Sequence, residues 1–424
     1  MRVLLVSANR EDINMPTLPM GLACVAAAVQ RAGHEVKFLD LLTADDFHQA
    51  LKNRITAFNP EVIGVSVRNI DDQVMDSTNF MLDQAREVVG LCRQLSQAPI
   101  VLGGAGYSIF PISALEYLQA DMGIHGEGEI AFPILLSHLA DQQDLAAVPG
   151  LYLPDRGQQA ERRFVKNLDT LALPDPSLMM SPGRQNQHYW LPFQTRRGCP
   201  LNCSYCSTST IEGRLIRKRS PKAAVHELAR WVKAGFSQVF FVDNTFNLPQ
   251  PYAIELCHQM DEARLDFRWR CIVYPGRVSR PLVNAMARAG CTEVSLGFES
   301  GHQMMLRDMN KRFAPQDVRR ASDLFAEAGI RRMGFLLLGG PGETRESVEE
   351  SFDFVESLAL DALKITIGIR IYPYTKLARI AAAEGHIAAD DNLLRPRFYC
   401  VKELEDWLRQ TVAERAAKHP NWFR

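Results

Sequence analysis

The chain has 424 residues, enough for two to four domains at about 150 residues each. Hydrophobic residues make up 46% and charged residues 23%, and 48 Lys and Arg against 49 Asp and Glu leave a formal charge of −1. That balance gives no whole-chain attraction to nucleic acid or anionic lipid, and no stretch approaches the roughly 20 apolar residues that span a bilayer. The start, MRVLLVSANREDINMP, reads as a first strand rather than a signal peptide. Nine cysteines without a secretory signal argue against a disulfide framework, so the expected location is cytoplasmic.

Residues 1–140 alternate strand and helix patterns. Strands are predicted at Val3–Ser7, Glu35–Leu39, Val62–Val67, Ile100–Gly103 and Asp121–Ile124, with helices at Leu18–Arg31, Asp45–Phe58, Asn79–Leu95 and Glu129–Leu139. Short apolar runs between helices of this length predict parallel βαβ units in a flavodoxin-like, Rossmann-like α/β domain. Residues 141–185 are polar and proline-rich and read as a small ornament plus a linker. Residues 186–389 give a second α/β series. Its predicted strands are Leu191–Thr195, Val239–Val242, Arg268–Tyr274, Glu293–Phe298, Met333–Leu338 and Ala362–Ile371. A closed eight-stranded barrel takes about 250 residues, so a partial (β/α)6 barrel fits better. Residues 390–424 read as a tail with a short helix, Val401–Lys418, and little core of its own.

Directly after the first barrel strand runs Arg197-Gly198-Cys199-Pro200-Leu201-Asn202-Cys203-Ser204-Tyr205-Cys206. Three cysteines at C-x3-C-x2-C spacing in one loop can converge as thiolates. Cysteine is the usual iron–sulfur ligand, and three thiolates on a 4Fe–4S cube leave one iron open. The alternatives are a zinc site or buried thiols. Zinc normally takes a fourth protein ligand, and no Cys or His follows closely after Cys206.

The motif, its place after a strand and the barrel size resemble the radical S-adenosylmethionine (SAM) superfamily, with Tyr205 as the aromatic of C-x3-C-x-aromatic-C. The resemblance implies that the open iron chelates the amino and carboxylate groups of SAM. One electron, from a donor such as flavodoxin or ferredoxin, then cleaves SAM to methionine and a 5′-deoxyadenosyl radical. It also implies SAM contacts on later strands. These are Asp243, on the methionine amino group, with Asn244; Glu299 at the ribose; and the stretch from Gly334 through Gly339 to Glu343 against adenine. The alternative for Asp243, Glu299 and Glu343 is a helix cap.

Residues 1–140 resemble the cobalamin-binding domain placed before many radical SAM barrels. The match rests on Leu18-Pro19-Met20-Gly21-Leu22, Gly33-His34-Glu35-Val36, Pro60–Ser66, Val101-Leu102-Gly103-Gly104 and Gly126-Glu127-Gly128-Glu129. It implies cobalamin contacts at Ser66, Arg68, Asn69, Gly103, Gly104, Gly126, Glu127, Gly128 and Glu129. The D-x-H-x-x-G motif that gives histidine to cobalt in methionine-synthase-like domains is absent, and His125 is the remaining histidine candidate. Cobalt is therefore expected without a strong lower ligand. Arg68 is expected there, because a guanidinium keeps its proton and disfavours water on cobalt; thiopeptide tryptophan C-methyltransferases have a similar arrangement. The alternatives are an ion pair of Arg68 with Asp71 or Asp72, and a bare flavodoxin-like domain.

The other cysteines, Cys24, Cys92, Cys257, Cys271, Cys291 and Cys400, are assigned to packing. Only two lie in the first domain, which argues against the tRNA methylthiotransferases, since these need three there. The basic run Arg214–Arg219 reads as a solvated face, with phosphate contact as the alternative. Arg370, Tyr372 and Tyr374 are expected to wall a substrate cleft, with Arg370 on a substrate carboxylate or in an interdomain ion pair. The expected function is a cobalamin-dependent radical SAM methyltransferase acting on an unactivated carbon or phosphorus of a small metabolite, with no nucleic-acid or membrane partner. A non-methylating rearrangement, cyclisation or ring contraction is one alternative. An electron-transfer protein holding a corrinoid and a cluster is the other.

Overall fold

The structure, a computed structural model, describes residues 1–11, 17–179 and 189–423. The chain divides into two compact units. Met1–Asp72, Asn79–Tyr189 and Thr208–Gly213 form the first, and Gln73–Thr78, Trp190–Ser207 and Arg214–Arg424 the second.

In the first unit, β1 (Arg2–Ser7), β2 (Glu35–Asp40), β3 (Val62–Ser66), β4 (Ile100–Gly103) and β5 (Met122–Ile124) are parallel, in the order β2-β1-β3-β4-β5. This is the flavodoxin-like doubly wound order that the sequence predicts. Helices α1 (Met20–Arg31), α2 (Phe47–Phe58), α3 (Leu82–Leu95), α4 (Pro111–Leu118) and α5 (Gly128–Ala140) intervene. Val3, Leu4, Leu5 and Val6 are all buried, because helices cover both faces of β1; this is why the strand is a continuous apolar run and not an alternating one. Local chemistry sets the helix ends: Asp46 accepts from the Gln49 amide at 3.1 Å to start α2, and Asn59, at φ 46°, ends it. On one face, Leu22, Ala26 and Val29 of α1 join Phe132, Leu135 and Leu136 of α5 in a shared core.

Beyond β5, β6 (Leu151–Leu153) and β7 (Gly157–Gln158) add two antiparallel strands to this sheet. This part of the expected linker therefore belongs to the first unit, and its residues 180–185 lie outside the described residues.

The second unit starts with β8 (Leu191–Phe193). A separate antiparallel ribbon follows, β9 (Arg196–Arg197) paired with β10 (Arg217–Lys218), the short helix α6 (Thr208–Glu212) lying between them in sequence. The sheet continues through β11 (Gln238–Phe241), β12 (Arg268–Val273), β13 (Cys291–Glu299), β14 (Arg331–Leu338) and β15 (Ala362–Ile367), each parallel to the next. All six predicted strands are present, and the sheet is open, as expected for a partial barrel. Helices α7 (Pro221–Lys233), α8 (Gln250–Glu262), α9 (Arg280–Arg288), α10 (Gln303–Asp308), α11 (Pro315–Glu327) and α12 (Arg345–Leu358) fill the crossovers. Phe241 packs against Phe193, Phe246 and Trp269 with ring centroids 5.9, 5.3 and 5.1 Å away, which locks the first three strands together.

After β15 the chain turns at Gly368 (φ 76°) into β16 (Ile369–Arg370), then α13 (Lys376–Ala383) and β17 (Phe398–Tyr399), which pairs with β16. The tail has more core than the sequence predicts. Helix α14 (Glu405–Lys418) buries Leu408 and Val412, and β18 (Trp422–Phe423) becomes a seventh parallel strand beside β15. Trp422 stacks on His419 at 4.1 Å and faces Phe352 at 6.1 Å. Among the described residues no helix is long and apolar enough to cross a membrane.

Candidate active site

The cysteine loop leaves β8 at the carboxyl end of the sheet, where parallel sheets and barrels place ligands. A buried ion pair fixes its beginning. Oδ1 of Asp243 accepts from the amides of Thr195 (2.7 Å) and Arg196 (2.8 Å). Oδ2 accepts from Thr195 Oγ1 (2.6 Å) and from Nη2 (2.7 Å) and Nε (3.1 Å) of Arg196. Arg196 also donates through Nη1 to the carbonyls of Phe246 (2.7 Å) and Leu248 (3.2 Å). This corrects the expectation for Asp243: five donors fill its carboxylate, leaving no acceptor for a SAM ammonium group. It is a positioning residue that ties the exit of β8 to the exit of β11, just ahead of Gly198-Cys199. Asn244 beside it is half-buried.

Further contacts pin the loop itself. The Ser204 amide donates to Met309 O at 3.1 Å, Asn310 Nδ2 to Asn202 O at 2.6 Å, and the Leu377 amide to Ser204 O at 2.9 Å. Cys199 is buried, Cys203 and Cys206 are half-buried, and none of the three is in a disulfide. Burial pushes the Cys203 thiol up, Lys311 pulls it back, and Cys206 and Glu299 raise it further. Among the described residues no three His, Cys, Asp or Glu side chains meet closely enough to hold a single metal ion. A cubane places each thiolate on a different iron, and three cysteines on one short loop, none in a disulfide, fit that donor set.

Glu299 ends β13 at φ 71°, where the register with β14 slips between Leu296 and Glu299. Its partner is Lys311, which the sequence reading missed. Lys311 Nζ donates to Glu299 Oε1 at 3.3 Å and Gly297 O at 3.2 Å, and lies 5.5 Å from the centre of the Tyr205 ring. Burial works against the ammonium charge, but Tyr205, Glu299 and Cys203 outweigh it. A cation, a carboxylate and a cluster cysteine thus meet at one place.

On β14 the glycines serve packing. A Cβ at Gly334 would stand 2.5 Å from Leu360 Cδ1, and one at Gly339 (φ 92°) would stand 2.7 Å from Cys400 Sγ. Glu343 folds back so that Oε2 accepts from the amides of Gly339 and Gly340. Glu343 thus holds the turn from within, as the helix-cap alternative for it expects. Burial raises Glu343 from 4.5 to about 7. The native state then binds this proton more tightly than the unfolded chain does. The stability it contributes is full below about 4.5 and is lost as pH rises through about 7, a swing of about 3 kcal/mol. Glu343→Gln keeps the acceptor oxygen and removes the titration. Its urea midpoint is expected to decline less than that of the wild type between pH 5 and 8; an equal decline would contradict this role.

In the first unit the expected cobalamin residues gather at the carboxyl ends of β3, β4 and β5. Gly103 has open space where a Cβ would be, whereas a Cβ at Gly104 (φ 103°) would collide with the Val67 carbonyl. Ser66 and Asn69 are half-buried on the neighbouring loop. Arg68 is open to solvent; desolvation by the protein around it lowers its pKa while Asp40 raises it. It forms no ion pair with Asp71 or Asp72. His125 Nε2 lies 2.8 Å from Arg162 Nη1, and burial with this guanidinium pushes the imidazole down to about 4, so it is neutral and accepts from Arg162. Two expectations change here. Glu127 is buried and accepts from the Val165 amide at 2.7 Å, and Gly128, like the buried Glu129, packs inward, with Val25 only 3.0 Å from where its Cβ would be. Gly103 with open space and a solvent-facing cation, beside a neutral His125 whose Nε2 is taken by Arg162, fit a flat corrinoid bound without a histidine ligand.

Arg370 is also corrected. It is 4% exposed and donates to the carbonyls of Ile371 (2.6 Å), Leu393 (2.9 Å) and Leu394 (3.4 Å), with its guanidinium 5.1 Å from the Tyr372 ring. These bonds staple Leu393 and Leu394 to the end of β16. Tyr372 is half-buried, and Tyr374 is 87% exposed at φ 63° on a turn.

This sheet order and cysteine loop define a class, and the comparisons agree with it. Residues 7–136 match the B12 binding domain and residues 194–355 the Radical SAM superfamily. The chain belongs to the radical SAM proteins that carry an N-terminal cobalamin-binding domain, and its cofactors are a 4Fe–4S cluster, SAM and cobalamin. It is 28% identical to the uncharacterized methyltransferase PH0819 of Pyrococcus horikoshii, over 91% of this chain and 84% of that one. It is 25% identical to the tryptophan 2-C-methyltransferase of Streptomyces laurentii, over 89% and 74%. Among solved structures it resembles the radical SAM methyltransferase TsrM of Kitasatospora setae with cobalamin and a [4Fe–4S] cluster bound, at a TM-score of 0.87, covering 100% of this chain and 90% of that one. At 22% identity that last likeness bears on the fold.

Proposed function

We propose that this protein is a cobalamin-dependent radical SAM methyltransferase that moves a methyl group from SAM to an unactivated carbon or phosphorus of a small molecule. The observation that carries it is the cluster loop, with Cys199, Cys203 and Cys206 beside the Glu299–Lys311 pair, in a chain that also holds an intact doubly wound corrinoid fold. The relatives named as methyltransferases support the same reading. When bound, the cluster with SAM supplies one-electron chemistry and cobalamin a methyl carrier. Cys199, Cys203 and Cys206 hold the cluster. Lys311 offers a buried ammonium to the anionic end of SAM, and Glu299 offers acceptors to its ribose hydroxyls. Ser66, Asn69, Gly103, Gly104 and Gly126 line the cobalamin crevice, and Arg68 keeps water from cobalt. Substrate enters from the carboxyl ends of the barrel strands.

Two measurements test this. With His125 committed to Arg162, electron paramagnetic resonance of the cobalt(II) form is expected to show no nitrogen splitting from an axial ligand; a clear splitting would contradict the assignment. After anaerobic reconstitution with iron, sulfide and hydroxocobalamin, methyl-labelled SAM is expected to lose its label only when both cofactors are present. Label loss without cobalamin would overturn the reading.

A further inference from the structure

Lys311 is a buried cation that the fold holds in place. Its side chain is 5% exposed, and Nζ is fixed by Glu299 Oε1 at 3.3 Å and Gly297 O at 3.2 Å. The Tyr205 hydroxyl is its third polar neighbour, and Tyr205 lies in the stretch between Cys203 and Cys206. The backbone bends to make this meeting. Glu299 stands at φ 71° where the β13–β14 register slips, a conformation uncommon and strained for a residue with a side chain. The two residues before Lys311 hold the cysteine loop directly: Asn310 Nδ2 donates to Asn202 O, and Met309 O accepts from the Ser204 amide. Met309, Asn310 and Lys311 thus clasp that loop as one segment. Glu299 does not cancel the ammonium there. Of the charges acting on the Cys203 sulfur, Lys311 is the strongest, ahead of Cys206 and Glu299. Arg196, a buried cation at the start of the loop, is paired with Asp243 at 2.7 Å.

We propose that Lys311 sets the reduction potential of the cluster, its fixed positive charge stabilising the one-electron reduced form before SAM arrives. The inference rests on the reading of Cys199, Cys203 and Cys206 as cluster ligands. Net charge, hydrogen bonding and solvent exposure set the potential of a cluster. A charge in a desolvated place acts with little screening by water or salt. The reduced cluster carries one more negative charge than the oxidised one, so a cation beside it favours reduction. One electron passes to the cluster from an external reductant, which is oxidised by one electron, and no bond forms or breaks. Lys311 acts here as a positioning residue, through the cysteine loop and not on a substrate. This role is separate from any contact with SAM, because Glu299, Gly297 and Tyr205 hold the ammonium without it.

The test is an anaerobic redox titration of the reconstituted holoprotein without SAM. Photoreduced deazaflavin with mediator dyes supplies the electrons, electron paramagnetic resonance follows the reduced cluster, and iron content is read alongside. Lys311→Met is expected to move the midpoint in the negative direction by at least about 59 mV, a tenfold change in a one-electron equilibrium. Lys311→Arg keeps the charge and is expected to stay near the wild type. Glu299→Gln removes the opposing charge and is expected to move the midpoint in the positive direction. A Lys311→Met midpoint equal to the wild type, or one that shifts only once SAM is added, would overturn the proposal. So would an equal negative shift in Lys311→Arg, which would make the effect one of packing. If Lys311→Met fails to keep its cluster, Glu299→Gln decides: a positive shift supports the proposal, and an unmoved or more negative midpoint overturns it. A wild-type holoprotein without iron would instead show, before any titration, that the cluster reading itself is wrong.

Discussion

Replacing Cys199, Cys203 and Cys206 together with Ala is expected to remove about four irons per chain, with the brown absorbance and all SAM cleavage. The protein should stay folded. The loop is held by backbone contacts to Met309, Asn310 and Leu377, none of which uses a cysteine side chain. Only Cys199 is buried among the three, and losing one small buried group costs on the order of 1 kcal/mol. Iron and sulfide analysis beside a thermal melt decides the matter. A triple variant that still held about four irons would mean that the cluster lies elsewhere.

Asp243→Leu is expected to be the most damaging single substitution near the site. Arg196 and Asp243 are 3% and 1% exposed and 2.7 Å apart. Removing the carboxylate leaves a buried guanidinium without its counter-charge, which costs about 3–5 kcal/mol. It also releases the Thr195 and Arg196 amides that set the start of the cysteine loop, so iron retention should fall with stability. A second substitution separates the two effects. Arg196→Met with Asp243→Leu removes both charges, and replacing a buried pair with apolar groups is often neutral; most of the stability should return. A single variant that melts like the wild type would show that the carboxylate is not the anchor.

The two domain folds were legible because each strand is a short apolar run between helices with clear ends. The three cysteines stood out because their spacing places them on one loop, where thiolates can converge. What was misread has a common cause. A polar residue at a strand end looks the same in sequence whether it faces a ligand or satisfies backbone groups, and Asp243, Glu343 and Arg370 all do the latter. Lys311 left no signal, because its meaning comes from a fold that brings it to Glu299 and Tyr205. Within the expected ornament and linker, the β6–β7 hairpin showed no strand pattern because its polar turn, with Asp155 and Gly157 at φ of 62° and 64°, has linker composition. At two residues, Trp422–Phe423 is too short to show a strand period. The basic run misled through averaging, since its composition hides the alternation that buries Arg217 and Arg219.

The most direct measurement counts the two products of SAM in one reaction. With the reconstituted protein, cobalamin, a reductant and substrate, the account predicts both S-adenosylhomocysteine, from SAM used as methyl donor, and 5′-deoxyadenosine, from SAM cleaved as radical source. 5′-Deoxyadenosine alone, with no S-adenosylhomocysteine and no labelled methyl group in any product, would contradict it.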